Sequence, residues 1–168
     1  IERQTSGEGQ VIDVAMVDGV SSLLSMAPGE ASAGMMPDAR GSSLLDGVAP
    51  YYDTYRCSDG EYMSVGAIEP QFYQALKQTL ELDDLPEQSD HANWPKMREM
   101  LAEKFATKTR EEWTAIFDGV DACVAPVRWL SEAKNDPHLV ARGTLVDIGG
   151  VTNPAPAPRF SRTPIRIA

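Results

Sequence analysis

Cysteine and histidine are scarce in this sequence. There are two of each in 168 residues. Cys57 and Cys123 are too few for a disulfide framework, and neither stands in a CxxC or Cys/His setting, so each is expected as a small buried hydrophobe in a chain of the reducing cytoplasm. His91 lies in the polar run Ser89-Asp90-His91-Ala92-Asn93, and His138 follows Pro137. Neither has a second histidine at metal spacing or a neighbouring nucleophile, so both are expected to be structural or solvent-facing and no metal site is expected. No GxGxxG or GxxxxGK[ST] loop is present to cradle a phosphate. Positive charge is also short: 15 Lys+Arg stand against 25 Asp+Glu, a formal charge of −10. Without a basic cluster, nucleic acid is not expected as a partner. No stretch approaches the ~20 apolar residues of a membrane span, and the start has no signal-peptide pattern. Residue 1 is Ile, which points to processing or to a longer protein.

What is present is ordinary for a globular chain, with 42% hydrophobic and 24% charged residues. Val11 to Met26 is expected to form a helix of about 15 residues. Val11, Val14, Ala15, Met16, Val17 and Val20 go most of the way round it, the mark of a helix buried in a larger body. Residues 27–50, with Pro28, Gly29, Gly34, Pro37, Gly41, Gly47 and Pro50, read as a long connection. Met26, Met35 and Met36 cluster there, and thioethers suit either irregular packing or a greasy ligand.

Tyr51 to Ile68 alternates about the turn Ser58-Asp59-Gly60-Glu61, so a hairpin is expected with Met63, Val65 and Ala67 on one face. Three helices follow. Pro70 opens the first, with a stripe of Phe72, Tyr73, Leu76 and Leu80; Asn93 and Pro95 open the second; Thr109 to Glu112 is a capping box for the third, which Gly119 stops. Cys123 to Val127 reads as a short strand whose proline places it at an edge or an end. Asp136-Pro137 opens a short helix closed by Gly143, Thr144 to Ile148 is a strand, and Pro154, Pro156 and Pro158 make an extended tail. The fold class is α+β.

Glu69 is the residue most open to a chemical role. Preceding Pro70, it is kept extended, while the proline starts a helix. A carboxylate is thereby set near a helix N-terminus, beside small Gly66 and Ala67. It either caps the helix or is free for another task.

Several long segments resemble one family. Gly9 to Gly19, Pro50 to Cys57, Asp59-Gly60, Val65 to Tyr73, Asp121 to Val127 and Pro156 to Thr163 are similar, in order, to the C-terminal half of the α-methylacyl-CoA racemase branch of the family III CoA-transferases. The resemblance implies a helix and linker of a large nucleotide-binding domain at 1–48, a small mixed helix and antiparallel-sheet domain at 49–148, and a tail at 149–168 returning to the large domain, in an interlocked homodimer. It also implies epimerisation of the α-carbon of 2-methyl-branched acyl-CoA thioesters through an enolate, without metal or organic cofactor. A His and an Asp exchange the proton, and both lie N-terminal to the matching stretch. Glu69 matches the family glutamate that supports the His. Met16, Met35, Met36, Tyr52 and Ile68, with Met26, are implied on the acyl path. Positive charge to hold an anionic CoA ester must come from elsewhere. The same superfamily includes CoA-transferases working through an aspartyl thioester, and a non-catalytic remnant or interaction module is a further alternative. The isolated chain is expected to be inactive.

Overall fold

The computed structural model describes residues 2–34, 46–163 and 165. In chain order the elements are α1 (Glu2–Ser6), α2 (Met16–Leu23), α3 (Met26–Ser32), β1 (Tyr52–Arg56), β2 (Tyr62–Gly66), α4 (Pro70–Leu80), α5 (Trp94–Phe105), α6 (Arg110–Phe117), β3 (Val124–Pro126), α7 (Leu130–Ala133), α8 (Pro137–Arg142), β4 (Leu145–Ile148) and β5 (Val151–Pro154). The mixture of helices with small antiparallel sheets is α+β.

The expected hairpin forms. Gly60, at φ +89°, makes the turn, and Asp59 Oδ1 accepts the Glu61 N–H at 3.1 Å. β1 pairs antiparallel with β2, Tyr52 opposite Gly66 and Tyr55 opposite Met63. β3 adds to the free side of β2, Val65 opposite Val124. Pro126 thus ends an edge strand, where its missing N–H disrupts nothing. Alternation sends Tyr55, Cys57, Met63, Val65 and Ala67 inward. The buried stripes of α4 (Tyr73, Leu76, Leu80), α5 (Met97, Leu101, Phe105) and α6 (Trp113, Phe117) join them in one core. Tyr55 stacks on Phe105 at 5.4 Å between ring centroids, and Trp113 meets Phe105 edge-on at 5.3 Å. Among the described residues, every buried hydrophobic one lies between Ala49 and Ala122.

The N-terminal segment differs from its expectation. No single helix runs from Val11 to Met26. The chain is non-helical from Gly7 to Ala15, α2 covers Met16–Leu23, and a turn at Leu24-Ser25 separates it from α3. The run Val11, Ile12, Val14 is β-branched, which costs side-chain freedom in a helix, and an isolated helix of this length is marginal without packing. Among the described residues this segment buries no side chain: Val11 is 97% exposed, Met16 89% and Leu23 87%. α3 occupies the start of what reads as a long connection; Pro28 sits in its first turn, where a proline costs little. α1 and α7 carry no strong sequence signal. The proline-rich tail begins as a strand, not as unpaired chain. Gly149 and Gly150 have φ +61° and +83°, suiting a tight hairpin turn that pairs β4 with β5, Leu145 opposite Pro154.

The α6 capping box is present, with the Thr109 side chain accepting the Glu112 N–H at 3.2 Å and Glu112 Oε2 accepting the Thr109 N–H at 2.8 Å. Those bonds to Thr109 hold the Glu112 carboxyl below the ordinary glutamate value of 4.5. Glu132 is lowered too, first by its hydrogen bond from Arg110, then by the Trp129 N–H. Carboxyls lowered in the folded state stabilise it above their unfolded values, and that stabilisation is lost as pH falls through the folded ones. Urea midpoints should therefore be flat from about pH 7 to 5 and decline below pH 4.5. The Glu112→Gln/Glu132→Gln double variant should show a shallower decline.

Candidate functional site

The junction between β2 and α4 is held from several sides. The Gly66 N–H donates to Cys123 O at 2.8 Å and the Ala67 N–H to Tyr51 O at 2.9 Å. Gln88 Nε2 donates to Ala67 O and to Ile68 O, both at 2.9 Å. Glu69 follows in extended conformation (φ −73°, ψ 143°), with Pro70 starting α4. Its side chain makes no capping bond and is exposed. Glu69 therefore begins the helix through its backbone, the carbonyl accepting the Tyr73 N–H at 3.0 Å. Its carboxylate is left out of the helix cap.

Beside this junction, a shallow depression of about 330 Å³ is lined by Tyr52, Asp53, Thr54, Ser64, Val65, Gly66 and Cys123. Gly66 matters here because a Cβ would lie 3.6 Å from Cys123 O and 3.9 Å from Tyr52 Cε2, filling the space between them. Cys123 has the left-handed φ of +52° and is exposed, unlike buried Cys57, which corrects the expectation of two buried thiols. At φ +52° the Cys123 carbonyl meets the Gly66 N–H, and the side chain lines the depression. Partial desolvation pushes its thiol pKa up, assisted by the Asp121 and Glu69 carboxylates. Asp53 at the rim is paired with Arg98, which also donates to Gly47 O and Val48 O.

Among the residues implied on the acyl path, Tyr52 lines this depression and half-buried Ile68 immediately precedes Glu69. Met16 and Met26 are 89% and 69% exposed and do not line it. Met35 and Met36 lie outside the described residues. His91 is exposed with its ring 4.3 Å from that of Trp94, and His138 is exposed in the first turn of α8.

The sequence profile of CoA-transferase family III matches residues 1–168. The chain belongs to CoA-transferase family III. It is 47% identical over 166 residues to the α-methylacyl-CoA racemase of Mus musculus, and 44% identical over 166 residues to that of Homo sapiens. Each alignment covers 97% of this chain and 44% of the relative. The chain thus spans less than half the length of these curated relatives. A succinyl-CoA–D-citramalate CoA-transferase of Chloroflexus aurantiacus is 27% identical over 176 residues, 97% of this chain and 43% of the relative. Among solved structures, a CAIB/BAIF family protein from Brucella suis superimposes with a TM-score of 0.72 at 23% identity, over 98% of this chain and 45% of that one. A hypothetical protein from Mycobacterium tuberculosis gives 0.69 at 18%, over 95% and 43%. The likeness to these two is one of fold.

Two residues of this family III chain escape sequence reasoning. Arg110 is 5% exposed and gathers Glu61, Glu132 and Val127 O around one guanidinium. Gln88, on the α4–α5 loop, reaches back 20 and 21 residues to the Glu69 junction. The capping signals beside Arg110 point to a helix start, not to a buried cation, and nothing local marks Gln88.

Proposed function

We propose that this chain is the C-terminal part of a racemase that inverts the α-carbon of 2-methyl-branched acyl-CoA thioesters. The observation that carries this reading is 47% identity to a racemase over 97% of the chain, against 27% to a CoA-transferase over the same share. The resemblance of Gly66-Ala67-Ile68-Glu69-Pro70-Gln71-Phe72-Tyr73 to the racemase branch supports it.

In this reading a base outside the chain takes the α-proton, and the C–H electron pair moves into a planar enolate. An acid on the opposite face then returns a proton, so no group is transferred and no oxidant is needed. The two groups are a His and an Asp contributed N-terminal to this stretch. Glu69 acts on that His: a carboxylate accepting its second ring N–H fixes the tautomer and stabilises the imidazolium formed on proton capture. The exposed, uncapped position of Glu69 leaves it free to accept such a bond. The developing enolate oxygen needs electrostatic stabilisation. The proposed chemistry draws on no metal or organic cofactor.

The division into 1–48, 49–148 and 149–168, and an interlocked homodimer, belong to the same proposal. The exposed apolar stretch from Val11 to Met26 supports it, since such a surface marks an interaction site.

The test is a full-length enzyme made by joining the chain to the N-terminal part of the Mus musculus racemase. Deuterium should enter the α-carbon of a 2-methylacyl-CoA, with Glu69→Gln slowing it ~10–100-fold by analogy with lost supports of metal-bound histidines. Movement of CoA to a free carboxylate acceptor, with no α-exchange, would make the protein a transferase instead. Met16→Ala in that enzyme should change the preference for acyl-chain length. In the isolated chain, where Met16 is 89% exposed, it should alter unfolding free energy by less than about 0.5 kcal/mol. A large stability loss there would return Met16 to the core.

A further inference from the structure

The β2–α4 junction ends a ladder in an awkward way. β2 finishes at Gly66, and α4 begins at Pro70. Between them, Ala67 and Ile68 present carbonyls that receive no backbone N–H among the described residues. Ala67 is fully buried, so its carbonyl needs a partner. Gln88 supplies it. A side-chain amide carries two N–H bonds, and here the nitrogen meets both carbonyls at 2.9 Å. Because both partners are acceptors, the NH2 group and not the amide oxygen must face them.

Holding two successive carbonyls fixes the peptide planes on either side of Ile68. The second of those planes ends at the Glu69 Cα. The direction in which the Glu69 side chain leaves the backbone therefore depends on a residue 19 positions later in the sequence.

Gln88 is itself held rigidly. Its carbonyl accepts the Trp94 indole N–H at 2.9 Å. The Trp94 ring meets Tyr51 edge-on at 5.8 Å, and Tyr51 O accepts the Ala67 N–H at 2.9 Å. Tyr51, Ala67, Gln88 and Trp94 thus form a closed ring of contacts. The loop carrying Gln88 is pinned further by α4, where Lys77 Nζ donates to Leu85 O at 3.0 Å and the Tyr73 hydroxyl donates to Pro86 O. None of these groups is a carboxylate or a surface chain free to wander.

We propose that Gln88 is a positioning residue for Glu69, setting the carboxylate's orientation by clamping the carbonyls of Ala67 and Ile68. This rests on the racemase reading of Glu69 and extends it to a residue that touches neither substrate nor reacting atoms.

Gln88→Glu tests it, since it keeps the size and removes both donors. Gln88→Met serves if repulsion between the new carboxylate and the carbonyls prevents folding. In the 168-residue chain, the 15N shifts of the Ile68 and Glu69 amides should move while those of α6 stay. In the full-length enzyme, kcat should fall about 10-fold with KM little changed. In the direction where His is the base, the acidic limb of the kcat profile should move to lower pH, because a misdirected carboxylate no longer raises the imidazole pKa. Glu69→Gln should move that limb in the same sense, and Gln88→Glu should add little in a Glu69→Gln background. Unmoved amides at 68 and 69 overturn the proposal, as does full activity in a variant whose amides have moved. A Glu69→Gln enzyme that is fully active overturns the role of Glu69 and this proposal together. A slow Glu69→Gln enzyme beside a wild-type-like Gln88 variant overturns this one alone.

Discussion

The 168-residue chain, incubated by itself with a 2-methylacyl-CoA in deuterated water, should leave the α-proton at its background rate of exchange. Inversion through an enolate needs a base on one face of the carbon and an acid on the other. Glu69 supplies one carboxylate at most. Asp53, the carboxylate bordering the nearby depression, is held by Arg98. His91 packs on Trp94, and His138 lies in the first turn of α8. The α-proton signal followed by NMR gives a direct reading. Exchange above background that vanishes with Glu69→Gln would show that this chain is a catalyst unaided.

Arg110→Ala should lower the unfolding free energy by about 2–3 kcal/mol, read from urea titration at neutral pH. Arg110 is the one buried charged residue among those described. Its guanidinium donates to Glu61 at 3.2 Å, to Val127 O at 2.9 Å and to Glu132 at 3.0 Å and 2.5 Å. The Trp129 indole adds a bond to Glu61 at 3.0 Å. Truncation removes the cation and leaves two carboxylates facing each other. Both are about a third exposed and can recover part of their hydration, which keeps the loss at the low end for a broken buried pair. Glu132→Gln alone should cost less, and the two changes together should cost less than their sum, since both break one network. A loss below about 0.5 kcal/mol for Arg110→Ala would make this an ordinary surface cluster.

The sheet, α4 to α6 and the Glu69 junction were legible because their signals are local. Alternation about Asp59-Gly60, Pro70 after Glu69, and Thr109 with Glu112 each act within a few residues of themselves. Residues 11–26 misled for the opposite reason. Their apolar content promises burial, but what would bury them is not in the described structure, and without it the β-branched stretch at 11–14 does not hold a helix. The β4–β5 hairpin is hidden because Pro154, Pro156 and Pro158 read as extended chain and outweigh the Gly149-Gly150 turn. Arg110 and Gln88 were invisible in a different way. Arg110 meets partners 17, 22 and 49 residues away, and Gln88 partners 20 and 21 residues away. Spacing within one element carries no trace of such pairings.

Among the described residues the buried core runs from Ala49 to Ala122, and proteases should find their sites outside it. Cleavage needs a stretch of backbone that can enter an active-site cleft, so cutting follows local opening and not global unfolding. Bonds between Val11 and Met26 carry exposed Val, Met and Leu side chains and should be cut first by a protease that prefers them. The β4–β5 pair comes next, since it is a two-stranded sheet with no fully buried residue, and such pairs are marginally stable in water. Limited digestion should thus converge on a fragment containing the core, its ends near the Arg98 contacts to Gly47 and Val48 and near the Arg110 contacts to Val127 and Glu132.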